Sequence, residues 1–376
     1  MHYHHLWWRF FPKKKLTQIY ISAAVRYFAV SLISLFVPLY LHQELGYTLN
    51  QTLWFFIIYS LALALFSPFS AKFAARFGCK HSILVSVPLY LLFILGLYLL
   101  PEGKISLYGM YLIGAVLGAS LSFYWMGMHA IFRKVSDCKH RGEEFGKRES
   151  ISIVATMLGP IMGGLLIKYS GFKIVFVLAA LLLFASAFFL FLSKEQHTRY
   201  HFSFRSLFYC KDWKNYLFFI SRGARAIAAG VVWPLFVFII IKDYLSLGLI
   251  ESIPAGICAL LIWLIGKYSD HVSKQKILRW VAGFEALSWI GRVFVNSMTQ
   301  VFGITIFGAV TYGIYESPAG AMEYDKACGN HPSFFISREI FLCFGRVLLL
   351  SIVLITNSLS GGLIFNGIAT LAAYLF

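Results

Sequence analysis

The sequence predicts an all-α integral membrane protein whose twelve transmembrane helices form two six-helix halves of like topology. Three observations lead to this fold class: the composition, the number of long apolar runs, and matches between the two halves of the chain. Hydrophobic residues make up 59% and charged residues only 13% of the 376 residues, whereas a soluble globular protein has about 25% charged residues. A chain of this composition is expected to lie in a lipid bilayer.

The apolar runs give the number of spans. A run of about 20 apolar residues crosses the hydrocarbon, and twelve such runs are predicted, near residues 17–42, 52–71, 82–100, 105–132, 149–167, 172–193, 215–241, 245–266, 277–297, 300–322, 335–357 and 360–376. The longest polar stretch falls between the sixth and the seventh run. We therefore predict a first half at residues 1–193, a cytoplasmic linker at 194–214 and a second half at 215–376.

The basic residues predict the orientation. Most of the 33 Lys and Arg residues fall in loops on one side of the membrane, which the positive-inside rule makes the cytoplasmic side. Both termini are then cytoplasmic, in a multi-pass protein of the cell membrane. The net charge of +17 is mostly this asymmetry, so no nucleic-acid partner is needed to explain it. His2, His4 and His5 lack further ligands, and no metal site is predicted.

The two halves repeat short patterns in the same order and at a nearly constant offset. Arg26 with Pro38 in the first half corresponds to Arg222 with Pro234 in the second. Two further matches align residues 71–81 with 266–276 and residues 145–149 with 335–339. Parallel repeats of this kind build transporters whose binding site lies between the halves, near the bilayer midplane.

Two motifs carry a family resemblance. The fifth span contains "LGPIMGG", and its small residues keep a regular spacing: Gly146, Ala155, Gly159, Pro160, Gly163 and Gly164. The loop between spans two and three reads "ARFGCKH", and its second-half copy contains Asp270. These motifs resemble the loop signature of the major facilitator superfamily of secondary transporters and the helix-five signature of its drug:proton antiporters. Ala75 stands where the family has Asp, so the acidic position is kept only in the second half.

The helix-five motif has a physical meaning of its own. Ala155, Gly159 and Gly163 recur every four residues and form a small-residue face that lets another helix approach closely. Pro160 frees a backbone carbonyl and permits a kink. Two interpretations stay open: a static helix contact, or a contact along which the halves rock.

The loop residues and two helix starts suggest a cytoplasmic gate between the halves. Glu149 and Glu339 begin spans five and eleven, where a helix N-terminus favours negative charge. We expect Arg76 to reach Glu339, and Asp270 to reach Arg148 or the start of span five. The full predicted set is Arg76, Gly78, Lys80, Arg148, Glu149, Asp270 and Glu339. The alternative is that Gly78 serves only a sharp turn and that the basic residues are merely cytoplasmic.

Charged residues within the spans suggest a solute site. An arginine at the centre of a lipid-facing helix costs roughly 2.5–3.5 kcal/mol, so Arg26, Arg222, Arg225, Arg292 and Arg346 are expected to face acids, water or the protein interior. The resemblance implies that spans one, four, seven and ten line a central cavity. The predicted substrate-binding residues on these spans are Arg26, Arg222, Arg225, Trp233, Trp125, His129, Tyr312 and Tyr315.

Glu316 is the acid on span ten predicted to couple protons to transport. The alternative is a structural ion pair of Glu316 with Arg26 or Arg225. Glu285 and Arg292 lie on span nine, share one helix face, and are interpreted as structural.

The function predicted from these features is secondary active transport of a small organic solute by alternating access. Proton-coupled exchange of the efflux type is expected, and three arginines against one glutamate favour an anionic or zwitterionic solute. A uniporter or symporter for a small organic anion is the alternative. A membrane enzyme acting on lipid-linked substrates is a distant one, because no loop gathers a catalytic set. The expected partners are the solute, protons and the lipid bilayer, with no cofactor, and the protein is expected to be a monomer.

Overall fold

The structure, a computed structural model, describes residues 14–100, 106–135, 141–191, 213–327 and 331–376. Within these ranges the chain is helical almost throughout and contains no strand. The predicted linker lies outside the described residues except for its last two, and so do the three N-terminal histidines.

Twelve helices follow one another in the described ranges, each at the position of one predicted span. The first six are α1 (Lys14–Ser34, continued by Val37–Leu39 and the π-helical turn Tyr40–Glu44), α2 (Leu49–Phe77), α3 (Cys79–Leu99), α4 (Leu107–Val135), α5 (Arg141–Ser170) and α6 (Phe172–Phe191). The second six are α7 (Trp213–Ile241, with a π-helical turn at Ala228–Val232), α8 (Tyr244–Ser269), α9 (Lys274–Gly291, followed by the 3-10 turn Arg292–Phe294), α10 (Met298–Lys326), α11 (His331–Thr356) and α12 (Leu359–Thr370, followed by the 3-10 turn Leu371–Tyr374).

Ten of these helices are both long and apolar enough to cross a membrane, counted within the described residues. The exceptions are α9, which carries four charged side chains, and α12, which is shorter. An all-helical multi-span membrane protein is therefore confirmed. The count of twelve crossings and the repeat of the two halves stay predictions.

Local sequence explains where several helices begin and end. Thr48 starts α2 with a capping box, because its hydroxyl accepts from the N–H of Gln51 and its own N–H donates to the Gln51 side chain. Gly78 separates α2 from α3 at φ 108°, a backbone conformation that favours glycine. Asp243 caps α8 and accepts from both the N–H and the hydroxyl of Ser246.

The first six helices contact the second six along two main seams. Helix α5 packs along α8, and α2 packs along α11. The α5–α8 seam is tight: a Cβ added at Gly146 would lie 3.1 Å from the Cα of Gly266. We call the end of the bundle where α2 ends and α5 begins the basic end. It is the end that the sequence predicts to be cytoplasmic.

Candidate functional site

A polar cavity of ≈ 210 Å³ lies between α4, α5, α7, α10 and α11; we call it the central cavity. Its charged lining consists of five arginines and four glutamates: Arg148, Arg222, Arg225, Arg338, Arg346, Glu149, Glu316, Glu323 and Glu339. Aromatic rings complete the wall, among them Trp125, His129, Phe145, Tyr312 and Tyr324. The two charge types nearly balance, which differs from the arginine excess expected from the sequence.

Arg222 on α7 is held by two glutamates of α10. Its Nη1 and Nη2 donate to Oε2 and Oε1 of Glu316 at 2.6 and 2.7 Å, which is a bidentate pair. Its Nε also lies 2.8 Å from Oε1 of Glu323, an ion-pair contact that lacks hydrogen-bond alignment. Glu316 and Glu323 lie two helical turns apart, so one arginine spans both.

Glu323 begins a chain of polar contacts that leads into the first six helices. Arg338 donates from Nε to Glu323 at 2.6 Å and also donates to Glu339. Glu339 lies 3.4 Å from Nε2 of His129 on α4, and Nδ1 of His129 lies 2.7 Å from the hydroxyl of Tyr324. Buried charges of this kind are compensated by partners rather than by water.

The contacts of Tyr324 indicate the tautomer of His129. The Tyr324 hydroxyl accepts from Nη1 of Arg148 at 3.0 Å, so its own hydrogen is free to be donated to Nδ1 of His129. The imidazole then carries its hydrogen on Nε2, directed at Glu339. His129 thus links the two clusters of charge.

Arg225 forms its ion pair with Glu285 of α9 rather than with Glu316. Its Nε donates to Glu285 at 2.9 Å, and its guanidinium carbon lies 3.3 Å from the ring centre of Tyr312. Glu285 also accepts from Trp289 at 3.0 Å and from the hydroxyl of Thr311. Since Glu285 is fully buried, the pair anchors α7 to α9 while Arg225 keeps one side on the cavity.

Two charges of the central cavity have the weakest compensation. Arg346 on α11 donates to the hydroxyl of Tyr59 at 3.1 Å and has no carboxylate within ion-pair distance among the described residues. Glu149 on α5 has Arg148 as its nearest cationic partner, at 3.7 Å. These two groups are the ones most able to accept a charged ligand.

The structure brings together six of the predicted site residues and leaves three apart. Trp125, His129, Arg222, Arg225, Tyr312 and Glu316 line the central cavity, whereas Arg26, Trp233 and Tyr315 are not among its lining residues. Trp233 packs against the guanidinium of Arg292 at 4.5 Å, and Tyr315 is buried beside Phe218.

Arg26 does not line the central cavity, although the sequence predicts it as a substrate-binding residue together with Arg222 and Arg225. It lies inside the first six helices, 4.2 Å from the ring centre of Tyr124 and 5.5 Å from that of Tyr90. It is 3% exposed, and its two terminal nitrogens have no hydrogen-bond partner. The partner of Glu316 is Arg222, rather than Arg26 or Arg225 as in the structural ion pair considered from the sequence.

The predicted gate residues separate into two groups. Asp270 accepts from the N–H groups of Gly142 and Glu143 at 2.9 and 2.8 Å, so it contacts the start of α5 at the basic end. Arg148, Glu149 and Glu339 instead line the central cavity. The role of this set as a gate stays a prediction.

The loop arginine of the predicted gate does not reach its expected partner. Arg76 is exposed beside the ring of Phe77, whereas Glu339 is paired with Arg338, the neighbouring residue of its own helix. Lys80 donates to the carbonyl of Phe191 at 2.9 Å, a contact within the first six helices.

Sequence reasoning missed Glu323, Tyr324, Arg338, Arg141 and Asp325. Arg141 on α5 donates to the carbonyl of Tyr324 and to Asp325 on α10, each at 2.9 Å. These contacts join the two halves at the basic end. Lys274 of α9 also donates to Asp325 at 2.9 Å. A signal for Arg338 was present. The aligned segments 145–149 and 335–339 pair Arg148–Glu149 with Arg338–Glu339, and both pairs line one cavity.

The helix-five motif contacts both halves. A Cβ at Gly159 would meet Ser31, and one at Gly163 would meet the carbonyl of Leu32, both on α1. Gly146 and Gly164 instead face α8, where a Cβ would lie 2.8 Å from the Ile262 carbonyl and 2.5 Å from the Tyr244 carbonyl. The small residues therefore permit close approach of two different helices, α1 and α8. Ala155, which lies between Gly146 and Gly159 in the sequence, is half-buried.

The bundle with its buried charged cavity has the form of a membrane transporter rather than an enzyme. The chain belongs to the Major Facilitator Superfamily, whose sequence pattern it matches over residues 19–337. Among similar proteins, the uncharacterized protein YqgE of Bacillus subtilis (strain 168) is 23% identical over 339 residues, covering 85% of this chain and 77% of that protein. The multidrug resistance protein MdtG of Escherichia fergusonii is 26% identical over 363 residues, covering 89% of this chain and 86% of that protein.

Solved structures agree on the fold. A bacterial homologue of the iron transporter ferroportin in its outward-facing state has a TM-score of 0.67 at 13% identity, covering 96% of this chain and 97% of that one. The E. coli fucose:proton symporter FucP has a TM-score of 0.67 at 11% identity, with 96% and 98% covered. The human organic anion transporter MFSD10 has a TM-score of 0.69 at 10% identity, with 96% and 99% covered.

Proposed function

We propose that this transporter moves a small zwitterionic or anionic organic solute through the central cavity by alternating access, in exchange for protons. One observation carries the choice of solute. Five arginines and four glutamates line the cavity, and the cation and the carboxylate with the weakest compensation are Arg346 and Glu149. A solute with one negative and one positive group satisfies both, whereas a simple anion satisfies only the arginine.

Exchange follows from the chemistry of Glu149. A carboxylate can hold a proton or the ammonium group of a solute, but not both, so the two ligands compete. Competition at one site is what an exchanger requires, because each conformational cycle then carries either the proton or the solute. The nearest cation of Glu149 lies 3.7 Å away, so this carboxylate is more available than Glu316, which Arg222 holds with two hydrogen bonds.

A second candidate, cotransport of an anionic solute with a proton, is favoured by the Arg222–Glu316 pair. A solute carboxylate that binds Arg222 displaces Glu316, and a buried carboxylate without its guanidinium takes up a proton. Solute and proton would then travel together. In this case the predicted proton-coupling residue, Glu316, performs the coupling.

Proton counting separates the two candidates. The solute is first found by a thermal-shift screen of the purified protein against amino acids, organic acids and cationic drugs, since a ligand that binds the folded state raises its melting temperature. Binding is then followed in weakly buffered detergent solution with a pH indicator. Exchange predicts that solute binding releases protons and that Glu149→Gln abolishes the release. Cotransport predicts proton uptake that Glu316→Gln abolishes. If solute binding neither releases nor takes up protons, in the unaltered protein as in both variants, proton coupling at this cavity is refuted.

A further inference from the structure

A second cavity, of ≈ 370 Å³, lies between α1, α5, α7 and α8, and its lining differs from that of the central cavity. Leu35, Met157 and Pro160 supply apolar walls, and Glu251 is its one charged lining residue. Ser252, next in sequence, lines the same space. We call it the amine cavity.

Two polar atoms of the amine cavity lack partners. Oε1 of Glu251 and Oγ of Ser252 are both buried without a hydrogen bond, and Ser252 is only 1% exposed. No basic nitrogen in the described part of the chain lies within 4.0 Å of the Glu251 carboxylate. The groups that act on it are the guanidinium of Arg292 and the indole of Trp233, and Arg292 is itself held against the ring of Trp289 at 3.9 Å. A buried carboxylate oxygen and a buried hydroxyl that make no hydrogen bond are costly, so both atoms favour a ligand.

The backbone leaves room for a ligand at this point. Gly230 lies in the π-helical turn Ala228–Val232 of α7 and lines the cavity, and a Cβ added there would meet nothing within 4 Å. Pro160 of the helix-five motif lines the same space from α5. Single π-helical turns occur frequently at functional sites.

We propose that the amine cavity is a second binding site, for an organic amine whose ammonium group pairs with Glu251 and donates to the Ser252 hydroxyl. Its hydrocarbon part lies against Leu35, Met157 and Pro160. The hydroxyls of Tyr27, Ser31, Ser34 and Thr156 also line this space, but Glu251 is its single charged ligand, and no group of three or more His, Cys, Asp or Glu side chains lies together in the described part of the chain. A metal ion needs several such ligands, whereas an ammonium group needs only one charge and a few acceptors. The apolar walls select an amine with a hydrocarbon body. This site does not depend on the solute proposed for the central cavity.

The test uses two probes of nearly equal size, phenethylamine, which is cationic at neutral pH, and phenethyl alcohol, which is neutral. Binding to the purified full-length protein in lipid nanodiscs is measured by calorimetry. We expect saturable binding of the amine and at least about tenfold weaker binding of the alcohol, because the alcohol lacks the charge-assisted contact. Glu251→Gln should weaken amine binding by about the same factor, and Glu251→Asp should keep part of it. The melting temperature of each variant reports whether it is folded.

A pair of glycine variants tests the position without changing any charge. Gly230→Leu fills the amine cavity and should abolish amine binding. Gly303→Leu is the matched control, since a Cβ at Gly303 on α10 also meets nothing within 4 Å and this residue does not line the cavity. Equal amine affinity in the two leucine variants, or unchanged affinity in Glu251→Gln, overturns the proposal.

Loss of amine binding in Glu149→Gln with retention in Glu251→Gln would place the amine in the central cavity and also overturn the proposal. Failure of proton counting at the central cavity, in contrast, leaves amine binding at Glu251 untouched. The two proposals therefore fail on different measurements.

Discussion

Arg222 and Glu316 form a bidentate ion pair that joins α7 to α10 inside the bundle, with N–O distances of 2.6 and 2.7 Å. This pair explains why the apolar helix α7 can contain an arginine. The guanidinium of Arg222 faces two glutamates of α10 and the central cavity rather than lipid. An arginine so placed is a structural link, and in the cotransport proposal it is also the docking group for the solute carboxylate. The two roles can be separated by replacing one partner or both.

Removal of one partner of the Arg222–Glu316 pair should destabilise the folded protein. Arg222→Ala leaves Glu316 without its guanidinium and should destabilise the protein by about 3–5 kcal/mol. Arg222→Ala combined with Glu316→Gln should recover a large part of that loss, because no unpaired charge remains on the α10 side. Thermal unfolding in a fixed detergent measures both effects. Arg76→Ala is the control, since Arg76 is exposed and should stay within about 0.5 kcal/mol. A double variant no more stable than the single one would contradict the pairing.

Asp270 should hold the basic end closed. Its carboxylate accepts from two N–H groups at the start of α5, and Lys there would replace these contacts by repulsion from the positive end of the helix dipole. Asp270→Lys should therefore favour conformations open at that end, while solute affinity changes only a few-fold. Arg76→Glu should have little effect, because Arg76 does not reach Glu339.

The measurement is maleimide labelling of Ser317→Cys in a variant whose six native cysteines are replaced by serine. Ser317 is fully buried and lies near Gly146 and Gly266 of the α5–α8 seam, so its labelling rate reports opening. Faster labelling in Asp270→Lys but not in Arg76→Glu supports the gate. Equal rates in all three proteins exclude Asp270 as a gate residue.

Hydropathy predicted the helices because it is a local property of the chain. Each predicted span became a helix, and Gly78 forms the turn that its position suggested. The partners of the charged residues could not be predicted in the same way, because they depend on the rotation of each helix in the bundle. Arg26 and Arg222 align in sequence, yet the first lies among tyrosines of α3 and α4 and the second on two glutamates.

The sequence also contained information that periodicity alone did not reveal. Glu323 follows Glu316 by two helical turns and therefore shares its face of α10. Arg338 precedes Glu339 as Arg148 precedes Glu149, so the internal match contained a second charged pair whose arginine was not among the predicted site residues. The structure adds the fact that both pairs line one cavity.

Acid should weaken the start of α8 through Asp243, which lies outside the membrane-spanning segments. The Ser246 hydroxyl and N–H both donate to its carboxylate and hold its pKa below the usual value. A lowered pKa in the folded state means that the contribution to stability is present above the unfolded-state pKa, about 3.9, and is lost as the pH falls through the folded-state pKa.

The melting temperature of Asp243→Ala should consequently lie below that of the unaltered protein at neutral pH, by the equivalent of about 0.5–2 kcal/mol for a lost N-cap. The difference should shrink as the pH is lowered below about 4. Lys168→Gln is the control. It removes only the exposed ion pair at 3.2 Å and should change stability by less than about 1 kcal/mol. A difference that stays constant down to low pH would show that the carboxylate charge is not the source.

Arg26 should prove dispensable for solute binding. Its guanidinium is buried between two tyrosine rings, its terminal nitrogens make no hydrogen bond, and it lines neither described cavity. Replacement of a buried, poorly compensated charge by an apolar residue of similar volume is often neutral or stabilising, by about 1–4 kcal/mol. Cation–π contacts worth roughly 0.5–2 kcal/mol are lost in return. Arg26→Met should therefore melt at the same or a higher temperature and retain solute affinity. Arg222→Met, at the aligned position, should lose both stability and affinity. If Arg26→Met instead keeps its melting temperature and loses solute binding, Arg26 belongs to the binding site in a conformation other than this one.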